Sequence, residues 1–128
     1  MADQRIESYR DLRVWQEAMV LAEQVYRVTA SFPKEEMYGL VSQIRRSAVS
    51  IPANIAEGHG RETSAVFIQF LRVAQGSLKE LETHLILAAR VGFLPATTEN
   101  ETLDRCDSLG RMIRSLIRAL LTRSKGEK

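Results

Sequence analysis

The residues of this sequence that could hold a metal ion or act as a nucleophile are few and widely spaced. A di-iron site in a helical protein needs two Glu-x-x-His motifs and two further inward glutamates. His84 lies four residues after Glu80 and two after Glu82, and His59 stands between glycines, so neither histidine completes that motif. Cys106 falls on an apolar stripe, where a buried and inert thiol is expected. These patterns predict no metal site, no cofactor and no enzymatic activity.

A second group of polar residues lies on adjoining faces of the second and third predicted helices. It comprises Gln43, Arg46, Ser50, Asn54 and Glu57, with Ser77, Glu80 and His84 on the third helix. We interpret it as a structural network that fixes helix register and satisfies the backbone group freed by an internal proline. The predicted members of this network are Asn54, Glu57, Ser77 and Glu80. A ligand pocket is the alternative.

Arginines outnumber lysines fourteen to four. The planar guanidinium suits bidentate pairing with carboxylates or phosphates, whereas a genome rich in G and C explains the excess without any function. Arg111, Arg114 and Arg118 share one face of the fourth predicted helix, with acidic residues at its opposite end. Complementation of the helix dipole and a phosphate-binding stripe both account for this arrangement.

Composition places the chain among ordinary globular proteins. Its 128 residues fit a single domain, 1–128, that can bury a core without disulfides or metals. Hydrophobic residues make up 45% and charged residues 27%, which excludes an intrinsically disordered chain. A single cysteine suits a reducing compartment, and no stretch reaches the ~20 apolar residues of a membrane helix. We therefore expect a cytoplasmic protein without a membrane partner.

Apolar residues recur at helical spacing along the chain, which predicts an all-α protein. Four helices are predicted, at about 11–30, 34–57, 64–91 and 99–123. Because the connections are short, consecutive helices should run antiparallel in an up-down-up-down four-helix bundle. Pro52 removes one backbone donor inside the second helix, so we expect that helix to bend by more than ~20°.

Local signals predict how individual helices end and pack. Gly58 is predicted to cap the second helix, and Thr98 with Glu101 to form a capping box at the start of the fourth. Gly76 lowers the helix propensity of the third helix, and we expect it to allow close approach of a neighbouring backbone.

The first helix is apolar over a wide arc. Its apolar residues are Leu12, Val14, Trp15, Ala18, Met19, Leu21, Ala22, Val25, Tyr26 and Val28. They span about 200° of the helix, whereas contact with one core needs about 100°. Self-association into a homo-oligomer would bury the remainder.

Several segments together resemble a known family. The resemblance spans about 9–121 and is carried by DLRVWQ (11–16), YGL (38–40), QIRRSA (43–48), SIPANIAEG (50–58), FL (70–71), GSL (76–78) and ELE (80–82). These segments are similar to those of the bacterial four-helix-bundle proteins encoded in intervening sequences of large-subunit rRNA genes. The same fold includes the accessory variability determinant of diversity-generating retroelements.

The resemblance implies an up-down bundle that assembles into a homopentameric barrel. For the retroelement relative, it also implies binding of nucleic acid and of a reverse transcriptase. It implies no catalytic residue.

Our leading hypothesis is a non-enzymatic, homo-oligomeric accessory protein that binds nucleic acid, RNA in particular. Its predicted phosphate contacts are Arg45, Arg46, Arg111, Arg114 and Arg118. The alternative is an oligomeric scaffold that recruits protein partners and has no nucleic-acid role, in which the arginines serve subunit interfaces.

Overall fold

Four α-helices make up most of residues 5–126, the part of the chain that this computed structural model describes. They are α1 (Arg13–Thr29), α2 (Leu40–His59), α3 (Ser64–Arg90) and α4 (Ala96–Gly126). Short 3₁₀ turns at Tyr9–Asp11 and Lys34–Glu36 precede α1 and α2. Each helix packs on the next along the chain, and α4 packs on α1. The predicted all-α four-helix bundle is confirmed.

Contacts between consecutive helices have the register of antiparallel neighbours. Near the start of α2, Arg45 donates a hydrogen bond to Thr29 at the end of α1. Ser50 bonds Ser77, while the later Gly58 contacts the earlier Phe70. Because later residues of one helix meet earlier residues of its neighbour, the chain runs up and down through the bundle.

The core is formed by the apolar stripes that gave the helical periodicity. Leu21, Ile44, Ile51, Leu81 and Ile113 are fully buried, and together they represent all four helices. Removing a side chain of this size from water contributes about 1.5–3 kcal/mol to folding. The buried set therefore accounts for why these four amphipathic segments pack together.

The second helix begins at Leu40 instead of the predicted Lys34. Lys34–Glu36 forms a separate 3₁₀ turn, and the side chain of Glu36 lies 3.4 Å from the backbone nitrogen of Leu40. The carboxylate of Glu36 thereby accepts one of the free backbone donors at the start of α2. From Leu40 the helix continues through Pro52 to His59. The bend at Pro52 stays a prediction.

The glycine predictions for α2 and α3 were wrong. Gly58 does not cap α2 but lies inside it, where an added Cβ would be 2.5 Å from the Cβ of Phe70. Gly60 ends the helix, and its N–H donates to the carbonyl of Ala56. Gly76 has no atom within 4 Å of the corresponding position. The close approach that we expected at Gly76 occurs at Gly58.

The fourth helix begins at Ala96, earlier than the predicted Glu99. The N–H of Glu99 donates to the carbonyl of Pro95, which closes the first helical turn before the predicted cap. Thr98 is therefore a helical residue, and the predicted capping box is not the helix start. The preceding turn uses Gly92 at φ 90°, a conformation that favours glycine.

Candidate nucleic-acid interface

Three predicted phosphate contacts lie together on α4. Arg111, Arg114 and Arg118 are exposed and share one side of the helix, and Arg114 borders α3. Arg111 forms an exposed ion pair with Asp107. Within the described residues, neither Arg114 nor Arg118 has an ion pair. Two of the three guanidinium groups are thus free to take an external anion.

The third helix adds two basic residues that our sequence reasoning missed. A shallow depression of about 320 Å³ between α3 and α4 is lined by Gln75, Gly76, Leu78, Lys79, Gly110 and Arg114. Arg72 lies two helical turns before Lys79 on the same side of α3 and is exposed. We call Arg72, Lys79, Arg111, Arg114 and Arg118 the basic face. The seven-residue spacing of Arg72 and Lys79, which places both on one side of a helix, is the sequence feature that could have identified them.

Acidic residues neutralise only part of the basic face. Lys79 pairs with Glu82 at 3.3 Å, and the ammonium group is largely exposed. Segments 64–78 of α3 and 108–123 of α4, which adjoin in the antiparallel pair, contain no Asp or Glu. Half of this helix pair therefore presents positive charge alone, which a net charge of +2 for the whole chain conceals.

The arginines of α2 do not belong to this face. The second and fourth helices occupy diagonal positions in the bundle and make no contact. Arg45 donates from Nε to Thr29 Oγ1 at 2.9 Å, and its guanidinium carbon lies 4.4 Å from the centre of the Tyr26 ring. Arg46 is exposed at the mouth of a groove between α1 and α2. The five predicted contacts thus form two separate surfaces, and Arg45 ties α1 to α2.

That groove is an extended apolar concavity along α1 and α2. A depression of about 600 Å³ continues into one of about 420 Å³, with Tyr26 and Val49 shared between them. We call this concavity the α1–α2 groove. Its apolar lining includes Met19, Tyr26, Met37, Tyr38, Val41, Val49 and Pro52, and its charged lining is Glu23, Arg27, Arg45 and Arg46. Tyr38 is 96% exposed at its rim.

Of the four predicted network residues, Asn54 and Ser77 lie together, and Ser50 of the same polar group joins them. Ser50 and Ser77 share a hydrogen bond of 2.8 Å between α2 and α3. Asn54 donates to the backbone carbonyl and to the hydroxyl of Ser50. Glu57 instead pairs with Arg61 at the surface, and Glu80 is exposed with no polar contact among the described residues. The two carboxylates point to solvent because full burial of unpaired charge is costly.

The model of the 23S rRNA-intervening sequence protein family matches residues 10–115. The chain belongs to this family. Its fold is similar to the crystal structure of a protein with unknown function from the S23 ribosomal protein family of Bacteroides thetaiotaomicron VPI-5482, at a TM-score of 0.73 and 23% identity. That similarity covers 81% of this chain and 97% of the other, and it shows a shared fold. The comparison with curated proteins gives no match. The family resemblance found in the sequence is confirmed.

In this intervening-sequence protein the one thiol is sequestered. Cys106 is buried, and desolvation raises the pKa of its thiol to about 12, with the Glu82 carboxylate adding to the shift. Across the described residues, no three His, Cys, Asp or Glu side chains are grouped as metal ligands would be. None of the helices in that part of the chain is long and apolar enough to cross a membrane.

Proposed function

We propose that this intervening-sequence protein is a non-enzymatic, homo-oligomeric accessory protein that binds nucleic acid, RNA in particular, through its basic face. The observation that carries the proposal is the unbalanced positive charge of the α3–α4 half. Arg72, Arg114 and Arg118 are exposed there, beside segments without an acidic residue. Contacts of this kind bind the phosphate backbone and place a nucleic acid without reading its sequence.

The shape of the basic face suits an extended phosphate backbone. Gly76 and Gly110 form part of the floor of the depression, so no long side chain fills it. Lys79 and Arg114 border it from opposite helices. A phosphate seated there would meet a cation from each helix. Arg45 is excluded from the proposed contacts because α1 already engages its guanidinium.

Homo-oligomerisation is supported by apolar side chains left on the bundle surface. Met19 is 36%, Tyr26 45% and Val49 44% exposed, and all three line the α1–α2 groove. A contiguous apolar surface of this kind marks an interaction site more often than chance exposure. Five copies is the number that the family resemblance implies. A ring would repeat the basic face around its symmetry axis.

The test compares two triple variants for binding to an unstructured single-stranded RNA. One variant carries Arg111→Ala, Arg114→Ala and Arg118→Ala. Its control carries Arg13→Ala, Arg61→Ala and Arg90→Ala, which removes the same charge from exposed positions elsewhere. Arg61 pairs with Glu57 four residues away, as Arg111 pairs with Asp107.

We expect wild type and control to bind at low salt with the same steep salt dependence. The basic-face variant should bind more weakly, and its plot of log affinity against log salt should flatten by roughly 0.7 for each phosphate that it no longer neutralises. Light scattering should show that all three proteins keep one mass. Equal weakening in both variants would point to net charge alone, and an absence of wild-type binding to RNA or DNA would end the proposal.

The second candidate function is an oligomeric scaffold for protein partners. The α1–α2 groove favours it, because tyrosine, methionine and arginine are the residue types enriched at protein interfaces. The same variants discriminate the two. Disassembly of the Arg111, Arg114 and Arg118 variant into subunits would place these arginines at an interface and favour the scaffold.

A further inference from the structure

We infer that the α1–α2 groove is occupied by the outer surface of α3 from a second copy of this chain. The inference deepens the proposed self-association and rests on it. The two surfaces in contact are different parts of the same chain. The contact is therefore head-to-tail, and neither surface pairs with its own copy.

The groove has the character of an acceptor surface. Its floor is apolar, with Val49 at 44% exposure and Tyr26 at 45%. Its rim holds Tyr38, whose ring is almost fully exposed. Tyr38 lies in the turn before α2, and an exposed tyrosine is a typical anchor of a protein interface.

The donor surface is a ridge along α3. Val73, Glu80 and Leu87 recur every seven residues on an exposed side of α3, and Val91 follows four residues later at the C-terminal cap. We call these four residues the α3 ridge. Val73 and Val91 are 52% exposed and Leu87 is 48% exposed. Leu87 and Val91 also border a depression of about 540 Å³ towards the start of α2. A straight apolar ridge is the shape that a groove between two helices receives.

Charge complementarity selects the ridge as the occupant of the groove. Arg46 at the groove and Glu80 on the ridge are both exposed, and among the described residues neither has an ion-pair partner. Glu80 is the one charged member of the ridge. If two grooves met each other instead, Arg27, Arg45 and Arg46 of each copy, balanced only by Glu23, would approach the same residues of the other copy. Like charges at an interface are unfavourable, so the head-to-tail pairing is preferred.

The positions of the two surfaces allow a closed assembly. The groove lies on the α1–α2 side of the bundle, and the ridge lies on the outer side of α3, which contacts α2 and α4. Each copy therefore turns relative to the previous one by the same angle. A head-to-tail contact that turns in this way closes into a ring or continues as a filament. The basic face uses the α4 side of α3 and stays uncovered.

The test uses one variant for each surface. Val49→Asp places a carboxylate in the groove, and Leu87→Asp places one on the ridge. Both positions are exposed in the single chain, so the helical content by circular dichroism should equal that of wild type. Leu121→Asp is the matched control, because Leu121 is 41% exposed on α4 and belongs to neither surface. Light scattering at micromolar concentration should give the wild-type mass for the control and a monomer for each of the other two.

Mixing the two monomeric variants gives the decisive result. Each mixed pair has one intact groove and one intact ridge, so an equimolar mixture should form a dimer that contains one copy of each variant. A pairing of groove with groove predicts no such dimer and leaves Leu87→Asp assembled. Either of those results would overturn the inference. Assembly of Val49→Asp at the wild-type mass would also overturn it, while the proposed homo-oligomer would stand. A monomeric wild type would remove both.

A charge exchange tests the pairing of Arg46 with Glu80. Arg46→Glu should weaken self-association by about tenfold or more, because the substituted side chain would face Glu80 of the next copy. Glu80→Arg should have a similar effect. The double variant should recover most of the wild-type affinity. If the double variant associates no better than the singles, the two side chains do not meet.

Discussion

Gly58 and Gly76 both interrupt helices, yet their surroundings are opposite. Gly58 is buried where α2 crosses α3, and an added Cβ would lie 2.5 Å from the Phe70 Cβ and 3.0 Å from a ring carbon of Phe67. Gly76 faces open space. Sequence alone cannot separate the two cases, because both read as a weak helix former within an amphipathic stretch. The distinction depends on how closely two helices approach.

Alanine substitution should therefore change stability in opposite directions at these two positions. Gly58→Ala forces the methyl group against Phe70, and we expect it to lower the free energy of unfolding by about 1–3 kcal/mol. Gly76→Ala adds helix propensity without a clash and should raise it by about 0.5–1 kcal/mol. Urea unfolding followed by circular dichroism measures both. A destabilised Gly76→Ala protein would show that a surface outside the single chain needs this glycine.

The thiol of Cys106 makes the free energy of unfolding depend on pH, and a Cys106→Ala variant isolates this dependence. Burial raises the pKa of its thiol from 9.0 to about 12, so the unfolded chain releases this proton at lower pH than the folded one. Its contribution to stability is fully present below pH 9 and is lost as the pH rises towards 12. Wild type should therefore lose stability over this window faster than Cys106→Ala, in which the other titrating groups are unchanged. Parallel curves would contradict the shift.

The helices could be predicted because the spacing of apolar residues indicates which face of each helix is buried. The start of α3 illustrates this: the predicted boundary at Ser64 is the observed one, and Thr63 caps it by accepting from the N–H of Val66. The starts of α2 and α4 were misplaced because local hydrogen bonds decide them. Glu36 and Pro95 set those ends, and neither is marked by the apolar pattern.

Arg45, and not Arg46, makes the polar contacts that join α2 to α1. Arg45 donates to the buried Thr29 hydroxyl and to the Tyr26 carbonyl, and its guanidinium packs on the Tyr26 ring. We expect Arg45→Ala to lower the free energy of unfolding by about 1–2 kcal/mol, because it removes two hydrogen bonds and a cation–π interaction together. Arg45→Ala should leave the salt dependence of RNA binding unchanged.

Arg46→Ala is the matched control for that prediction. It removes the same charge one residue away, from a side chain that is exposed and makes no polar contact among the described residues. Its unfolding, measured on the monomeric Val49→Asp background, should equal that of the background protein. If Arg45→Ala also leaves the free energy of unfolding unchanged on the same background, the contacts of Arg45 make no net contribution to folding.

At the scale of the whole molecule, the sequence could place arginines on faces but could not say which faces adjoin. Arg111, Arg114 and Arg118 were found because they share one helix. Arg72 and Lys79 were missed because only the antiparallel packing of α3 on α4 brings them to the same surface. Arg45 and Arg46 were grouped with the others although α2 lies diagonal to α4. Which residues form one site is a property of helix order and register.

Assembly and RNA binding should be coupled through the number of phosphates that one complex neutralises. A single chain offers one basic face, whereas an oligomer presents several copies to the same strand. The Val49→Asp variant keeps every residue of the basic face, so at low salt it should still bind single-stranded RNA. Its affinity per chain should be lower, and its slope of log affinity against log salt should be shallower by roughly 0.7 for each phosphate that neighbouring subunits would have neutralised. Leu121→Asp is not a control for this measurement, because Leu121 follows Arg118 by three residues on the basic face and its carboxylate would itself oppose phosphate binding. Val20→Asp, at a position that is 37% exposed on α1 and belongs to neither the α1–α2 groove nor the α3 ridge, should match wild type in both quantities. A Val49→Asp protein with wild-type affinity and slope would mean that one chain binds all the phosphates, and that self-association serves a purpose other than RNA binding.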